Sequence, residues 1–348
     1  MKVGLVGFAR SGKTTIFNAL TGMSAEVGSF ETKRDAAIAV VKVPDHRVDA
    51  LAEIVQPDRK KYAEVTFLDF PPSAERKAAL DTRSLAQMRE VEALTQVVRA
   101  VDDPLATAPA DPLRALRDFQ SELILADMGV IEKRLERLRK EKGKEREREL
   151  LEKCQIVLEA EQPLRNETFL PEEEMLLSGF AFLSQKPLLI VYNRAEEEMQ
   201  AEMPREVASY IEEQGLTAVP ICGKVEMEIA ELEEDERGLF LADLGVEESA
   251  RDRFIQYAYR MLNLMSFFTA GPMEARAWTI ERGMPALKAA GKIHSDIERG
   301  FIRAEVIAYE AYIEHGGEAG CRDVGKMRLE GKDYVVQDGD VVHFRFKV

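Results

Sequence analysis

Cysteine is scarce in this chain: 348 residues carry three, Cys154, Cys222 and Cys321, odd in number and far apart. That excludes a disulfide framework and a thiolate zinc cluster, and it fits a reducing interior. Long apolar runs are missing too. None approaches bilayer-spanning length, and the start Met1-Lys2-Val3-Gly4-Leu5-Val6-Gly7 is interrupted too early to act as a secretory signal. No membrane partner and a cytoplasmic location are therefore expected. Positive charge is in deficit, with 48 Lys and Arg against 63 Asp and Glu and a formal net charge of -15. This balance argues against a continuous cationic surface for naked nucleic acid, sequence-specific DNA included. Local patches can still bind phosphate, and a ribonucleoprotein partner stays open, because residues 265–348 are close to neutral.

What is present is most informative at the amino terminus. Gly7-Phe8-Ala9-Arg10-Ser11-Gly12-Lys13-Thr14 follows the apolar run Val3 to Val6 directly. Gly7 and Gly12 let the backbone turn tightly, so that successive N–H groups can face a β-phosphate without a side chain in the way. Lys13 can then reach the β/γ oxygens, and the Thr14 hydroxyl can sit on Mg²⁺. Thr15 to Leu20 reads as the helix whose positive end faces the phosphates.

A chain of this length divides into two or three domains. Its first part alternates strand-like and helix-like stretches, as a parallel α/β sheet requires. Strands are expected at Val3 to Val6, Ile38 to Val43, Val65 to Phe70, Gln96 to Val101, Pro187 to Tyr192 and Thr217 to Ile221. Ligand loops lie beyond the carboxyl ends of such strands, where the glycine-rich segment, Asp69 and Asn193 all fall. An insertion interrupts this series. Leu123, Ile124, Met128, Ile131, Leu135 and Leu138 form one helical stripe, the charged run Lys140 to Glu147 breaks it, and Leu151, Cys154 and Leu158 resume it. That predicts a helical hairpin with a charged tip, either a passive projection or an arm for a large partner. Glu226 to Glu236 is strongly acidic, and in the tail Trp278 to Ile280 is strand-like. Asp333 to Val336 and Val341 to Phe346 flank a turn at Gln337 to Asp340, which reads as a hairpin.

If Lys13 and Thr14 hold phosphates and metal, a carboxylate should end a neighbouring strand to fix water on Mg²⁺, and Asp69 fits. Thr32 is a candidate second hydroxyl for the metal. Immediately after Asp69 the chemistry is less favourable. A switch-type nucleotidase places glycine three residues beyond this Asp to donate an N–H to the γ-phosphate, whereas Asp69-Phe70-Pro71-Pro72 puts proline there. Ser73 could substitute through its hydroxyl, and no His or Gln lies between Phe70 and Ala74 to position water. Slow hydrolysis, or nucleotide-dependent binding without efficient turnover, follows. Base choice is expected from Asn193-Arg194-Ala195-Glu196, where the guanine-reading arrangement ends in Asp. Glu196 is one methylene longer, which points to an altered base preference. Cys222, Gly223 and Lys224 should form the loop beside the base.

Carried by these residues, the chain resembles the YchF or Obg-like ATPases, a branch of the P-loop GTPase class that prefers ATP. Matching stretches include Val43-Pro44-Asp45-His46-Arg47 and Glu122 to Asp127. The most specific are Phe267-Phe268-Thr269-Ala270-Gly271-Pro272 with Arg276-Ala277-Trp278-Thr279, then Gly300 to Val306 and Leu329 to the end. The resemblance implies an α/β fold: a P-loop nucleotide-binding domain over 1–119 and 181–264, a helical coiled-coil insertion over 120–180, and a C-terminal β-grasp (TGS) domain over 265–348. It implies phosphate and Mg²⁺ roles for Lys13 and Thr14, an adenine-permissive motif at Asn193 and Glu196, and ATP with Mg²⁺ as cofactors. It also implies a ribosomal partner. Arg276, Lys288, Lys292 and Arg303 could then lie near ribosomal RNA, unless the terminal domain is an internal packing module. Departures from the family pattern are Asp69-Phe70-Pro71-Pro72 for Asp-x-Ala-Gly, Lys33-Arg34-Asp35-Ala36 after Thr32, and Arg10-Ser11 for Asn-Val. The expected function is ATP binding with slow hydrolysis that regulates ribosome contact. A non-hydrolysing scaffold and a GTP-dependent switch are the alternatives.

Overall fold

The computed structural model describes residues 1–22, 37–70, 82–103, 108–243 and 248–347. In chain order its strands are β1 (Lys2–Val6), β2 (Ala37–Lys42), β3 (Lys60–Lys61), β4 (Glu64–Asp69), β5 (Ala93–Arg99), β6 (Leu188–Asn193) and β7 (Thr217–Ile221), then β8 (Leu264–Ala270), β9 (Ala275–Glu281), β10 (Phe301–Ala308), β11 (Arg328–Glu330) and β12 (Asp340–Phe346). Contacts group Met1–Val40 with Thr66–Phe254, and Val41–Val65 with Ile255–Val348. The segment 41–65, which a linear reading places with the nucleotide domain, thus groups with the carboxyl-terminal unit.

The first unit is built on a sheet of order β2-β4-β1-β5-β6-β7. β1 lies parallel to β4 on one side and β5 on the other, and β6 and β7 continue in parallel. Strands β5 and β6 are buried over nearly their whole length, as parallel strands covered on both faces must be. β5 starts three residues earlier than Gln96, the expected start. The apolar pattern is masked there by Thr95 and Gln96, both buried polar residues, and Gln96 Nε2 donates to the Ala115 carbonyl at 3.0 Å.

Helix Pro112–Leu138 serves two cores in succession. Asp111 caps it by accepting from Arg114 N–H at 3.0 Å, with Pro112 in the first turn where no N–H is needed. Leu116, Phe119 and Leu123 bury against the sheet with Leu94, Val98 and Ile190. From Ile124 onward the same helix packs on Glu145–Glu159, burying Ile131, Leu138, Leu151, Cys154 and Leu158, which is the predicted hairpin. Arg134 ties its tip, bonding Glu141 at 2.9 Å and Glu147 at 2.7 Å. Asp127, fully buried at its root, accepts from the backbone of Leu183 at 3.0 Å and of Ser184 at 2.7 Å, and pairs with Arg89 at 3.2 Å.

The second unit has a sheet of order β11-β10-β12-β8-β9-β3. β8 and β9 form an antiparallel hairpin, and β12 pairs parallel to β8 and antiparallel to β10. Helix Ala286–Ile293 buries Ala286, Ala289 and Ala290 against Phe267, Ile280, Val306 and Phe344, the layered arrangement of a β-grasp. The expected hairpin across Gln337 to Asp340 does not form: β12 pairs with β10, while Val335 bridges to Pro285. The turn itself is present, fastened by the Asp340 carboxylate, which accepts from Tyr334 Oη at 2.7 Å and Gln337 N–H at 2.8 Å. Trp278 is half-buried, stacked on Phe267 and covered by the Arg276 guanidinium 3.7 Å from its ring centre. Among the described residues no helix is long and apolar enough to cross a membrane.

Candidate functional site

The site is assembled at the carboxyl ends of β1, β4, β6 and β7. Beyond Val6 the chain turns through Phe8 to Ser11, closed by Ser11 N–H on the Phe8 carbonyl at 3.1 Å, and enters helix Lys13–Thr21. Glycine is required at both ends of this loop. A Cβ on Gly7 would stand 2.6 Å from the Val97 carbonyl oxygen and 2.7 Å from Ser11 Oγ. Gly12 has φ +88°, and a Cβ there would overlap the Asn193 amide. Phe8 leaves the loop on the other side and meets Phe119 edge-on, with ring centres 6.5 Å apart.

Lys13 and Thr14 converge on Asp69. The Lys13 ammonium donates to Asp69 Oδ1 and to the Phe70 carbonyl, and Thr14 Oγ1 lies 3.2 Å from Asp69 Oδ2. The Lys13 and Asp69 side chains are only 11% and 10% exposed, so their charges interact with little solvent screening. A hydroxyl and a carboxylate side by side are the hard oxygen donors that Mg²⁺ prefers. The buried Ser11 Oγ finds no protein partner among the described residues, leaving a polar atom inside the cradle for a polyphosphate. These features fit Mg²⁺-nucleotide chemistry. Thr32, Pro71, Pro72 and Ser73 lie outside the described residues.

Asn193, at the end of β6, is a joint rather than a free recognition group. Its Nδ2 donates to the Ser11 carbonyl at 3.0 Å and its Oδ1 accepts from Gly223 N–H at 3.2 Å. Gly223 opens helix Gly223–Glu231 against the phosphate-loop helix, and a Cβ on it would come within 3.0 Å of Ile16 and 3.3 Å of Thr15. Cys222 is buried just before it. At the rim, Lys224 Nζ stands 3.5 Å from the Glu196 carboxylate, both largely exposed. The structure therefore brings the described residues expected at the site to one edge of the sheet, with Ala9 and Arg10 in the loop and Thr15 at the helix start, except that the Phe8 side chain turns away into the core.

Three neighbouring groups escaped the sequence reading. The Arg194 guanidinium folds back onto the carbonyls of Met199 and Ala201, each at 2.6 Å, and fastens the loop that carries Glu196. Asp103 pairs with Arg10 at 2.6 Å, a contact across 93 positions that no local motif marks. Glu226, read only as part of a strongly acidic run, is buried and accepts from Ala250 N–H at 2.9 Å and Arg251 N–H at 3.2 Å. Burial pushes its carboxyl above the usual glutamate range despite these two donors. A signal was present: Glu226 shares the helical face of Cys222 and Ile229, both buried.

Comparison with known proteins places this arrangement. A family model described as "50S ribosome-binding GTPase" matches residues 2–194, and YchF-GTPase_C, described as a protein of unknown function, matches residues 264–347. The chain is 41% identical to "Ribosome-binding ATPase YchF" of Bacillus subtilis (strain 168), covering 100% of both. To the protein of the same name from Escherichia coli O157:H7 it is 39% identical, covering 100% of this chain and 99% of that one. Among solved structures, the Schizosaccharomyces pombe YchF GTPase superposes with a TM-score of 0.89 at 30% identity, over 99% of this chain and 97% of that one.

Proposed function

This chain belongs to the YchF family of P-loop nucleotidases, and on that premise we propose that it binds ATP with Mg²⁺, hydrolyses it slowly, and uses nucleotide state to regulate its association with the ribosome. The observation that carries the nucleotide reading is the meeting of Lys13 and Thr14 with Asp69 beneath the loop Gly7 to Gly12. Bound Mg²⁺ would neutralise phosphate charge, held through the Thr14 hydroxyl and, by way of water, Asp69, with Thr32 a candidate for the third position. Lys13 exchanges its bonds to Asp69 and Phe70 for phosphate oxygens, and the loop amides with Thr15 surround the β-phosphate. Hydrolysis is slow because residue 72, a proline, has no N–H for the γ-phosphate.

Base choice belongs to Glu196, Cys222, Gly223 and Lys224, whose loops Asn193 holds against the phosphate loop. The Glu196 carboxylate is shared with Lys224, so it is not committed to the two adjacent donors of guanine, which favours ATP over GTP. The ribosome as partner is supported by the printed names of the full-length relatives, with residues 120–180 and 265–348 as the parts that would reach it.

Single-turnover hydrolysis of Mg²⁺-ATP tests the enzymatic reading: product that disappears in Lys13→Ala supports it. Tight ATP binding without product above the protein-free rate supports the scaffold alternative. Competition of ATP against GTP, before and after Glu196→Asp, tests base choice, and co-sedimentation with ribosomes in ATP and ADP tests the partner.

A further inference from the structure

Arg10 stands in the middle of the phosphate loop, where the other long cation, Lys13, follows three residues later. Its backbone has φ +63°, a left-handed conformation that disfavours every side chain other than glycine and, to a lesser degree, Asn and Asp. A position where glycine or asparagine would be easier carries a guanidinium in this chain. Strain of this kind at a ligand loop points to a role for the side chain. The guanidinium does not spread over the surface. Nη1 is held by Asp103 Oδ2 at 2.6 Å, and both side chains remain about one-third exposed, at 34% and 28%. The contact is therefore poised rather than locked: a carboxylate stores the cation, and a more highly charged oxyanion at the loop can take it over.

The sequence supplies the complementary deficit. The γ-phosphate lacks an N–H donor at residue 72, and no His or Gln stands between Phe70 and Ala74. Resting on the nucleotidase reading above, we propose that Arg10 is a catalytic residue of this chain, an arginine supplied in cis that leaves Asp103 and donates to the terminal phosphate of bound ATP. In the step it serves, a water oxygen bonds to the γ-phosphorus as the bond to the β–γ bridging oxygen breaks. The bonding pair stays with that oxygen on ADP, and the proton of the attacking water passes to the released phosphate. Arg10 offsets charge on the γ-oxygens and the bridging oxygen during this transfer, as an arginine supplied in cis or in trans does in P-loop nucleotidases that use one. Because ADP lacks the γ-phosphate, the contact also makes the loop distinguish ATP from ADP.

The test is Arg10→Gly in the full chain, since glycine adopts φ +63° without strain while the guanidinium is lost with the side chain. Its thermal midpoint is expected to stay at or above that of the unaltered protein. The single-turnover rate at saturating Mg²⁺-ATP should fall by on the order of 10³-fold, with ADP affinity within about threefold and affinity for a non-hydrolysable ATP analogue reduced at least tenfold. Arg10→Lys should recover affinity more than rate, because a point charge replaces the planar fork. Asp103→Asn should hydrolyse at least as fast as the unaltered protein. Unchanged turnover and unchanged ATP-to-ADP discrimination in Arg10→Gly would overturn the proposal, as would equal losses for ATP and ADP, or an Asp103→Asn defect matching that of Arg10→Gly. If the unaltered protein binds ATP without turnover, the catalytic assignment of Arg10 is overturned, whatever the discrimination ratio shows. If it binds no nucleotide, the nucleotidase reading fails first, and Arg10 with it.

Discussion

The Asn193 side chain donates to the Ser11 carbonyl at 3.0 Å and so fastens the end of β6 to the phosphate loop. Its partners fix the amide's orientation, since Ser11 offers only an acceptor and Gly223 N–H only a donor at 3.2 Å. One side chain thus joins three segments: the end of β6, the loop before helix Lys13–Thr21 and the start of helix Gly223–Glu231. Asn193→Ala should lower both stability and affinity, each stranded buried group costing about 1–3 kcal/mol. Thermal unfolding without nucleotide and ATP titration check this together. A variant that loses affinity while melting normally would reduce Asn193 to a base contact.

Gly12→Ala concerns the same joint from the other side. The methyl group meets the Asn193 amide, and alanine is strained at φ +88°. Either Asn193 moves or the loop opens. Nucleotide affinity should fall at least tenfold and the melting temperature with it, whereas Gly22→Ala, at φ +65° with nothing within 4 Å among the described residues, should cost only the backbone term of about 1 kcal/mol. Parallel melting and binding curves for the two variants check the contrast.

Much of this site was legible because its determinants are local. The P-loop, Asp69 at a strand end and the Asn193 to Glu196 run are each set by a few consecutive residues, and the parallel sheet brings their strand ends to one edge. The helical hairpin was readable for the same reason, as its stripe obeys one period. What escaped depends on long-range pairing. Asp103 holds Arg10, Glu226 caps Ala250 and Arg251, and β12 chooses β10 and β8 over the adjacent arm at 333–336. Alternation identifies a strand but does not name its neighbour.

Asp69 holds Lys13 and Thr14 at once, so its removal has two opposing effects. Asp69→Asn weakens the outer hold on Mg²⁺ but frees the Lys13 ammonium and takes a negative charge away from the phosphates. ATP affinity in EDTA should therefore hold or rise, while the gain in affinity on adding Mg²⁺ shrinks at least tenfold. Titrations of ATP with and without Mg²⁺ check both signs. Equal losses in the two conditions would show Asp69 acting on the loop's shape alone.

Glu226 gives a pH dependence with a definite sign. Burial raises its carboxyl in the folded chain, Asp252 adds in the same direction, and the Arg251 and Ala250 N–H groups oppose without prevailing. Between the ordinary glutamate value and the raised one, the folded state therefore holds more proton than the unfolded state. Stability is fully present below that window and declines as pH rises through it. Glu226→Gln removes the titration, so its stability should change less across the same window. The glutamine also turns an amide donor toward one of the two backbone N–H groups, and its overall stability should be lower by about 1–2 kcal/mol. Denaturant unfolding of both proteins at closely spaced pH values separates the two effects, because the offset persists throughout while the slope difference is confined to the window. A slope of opposite sign in the unaltered protein relative to the variant would mean that the two backbone donors outweigh burial at this carboxylate.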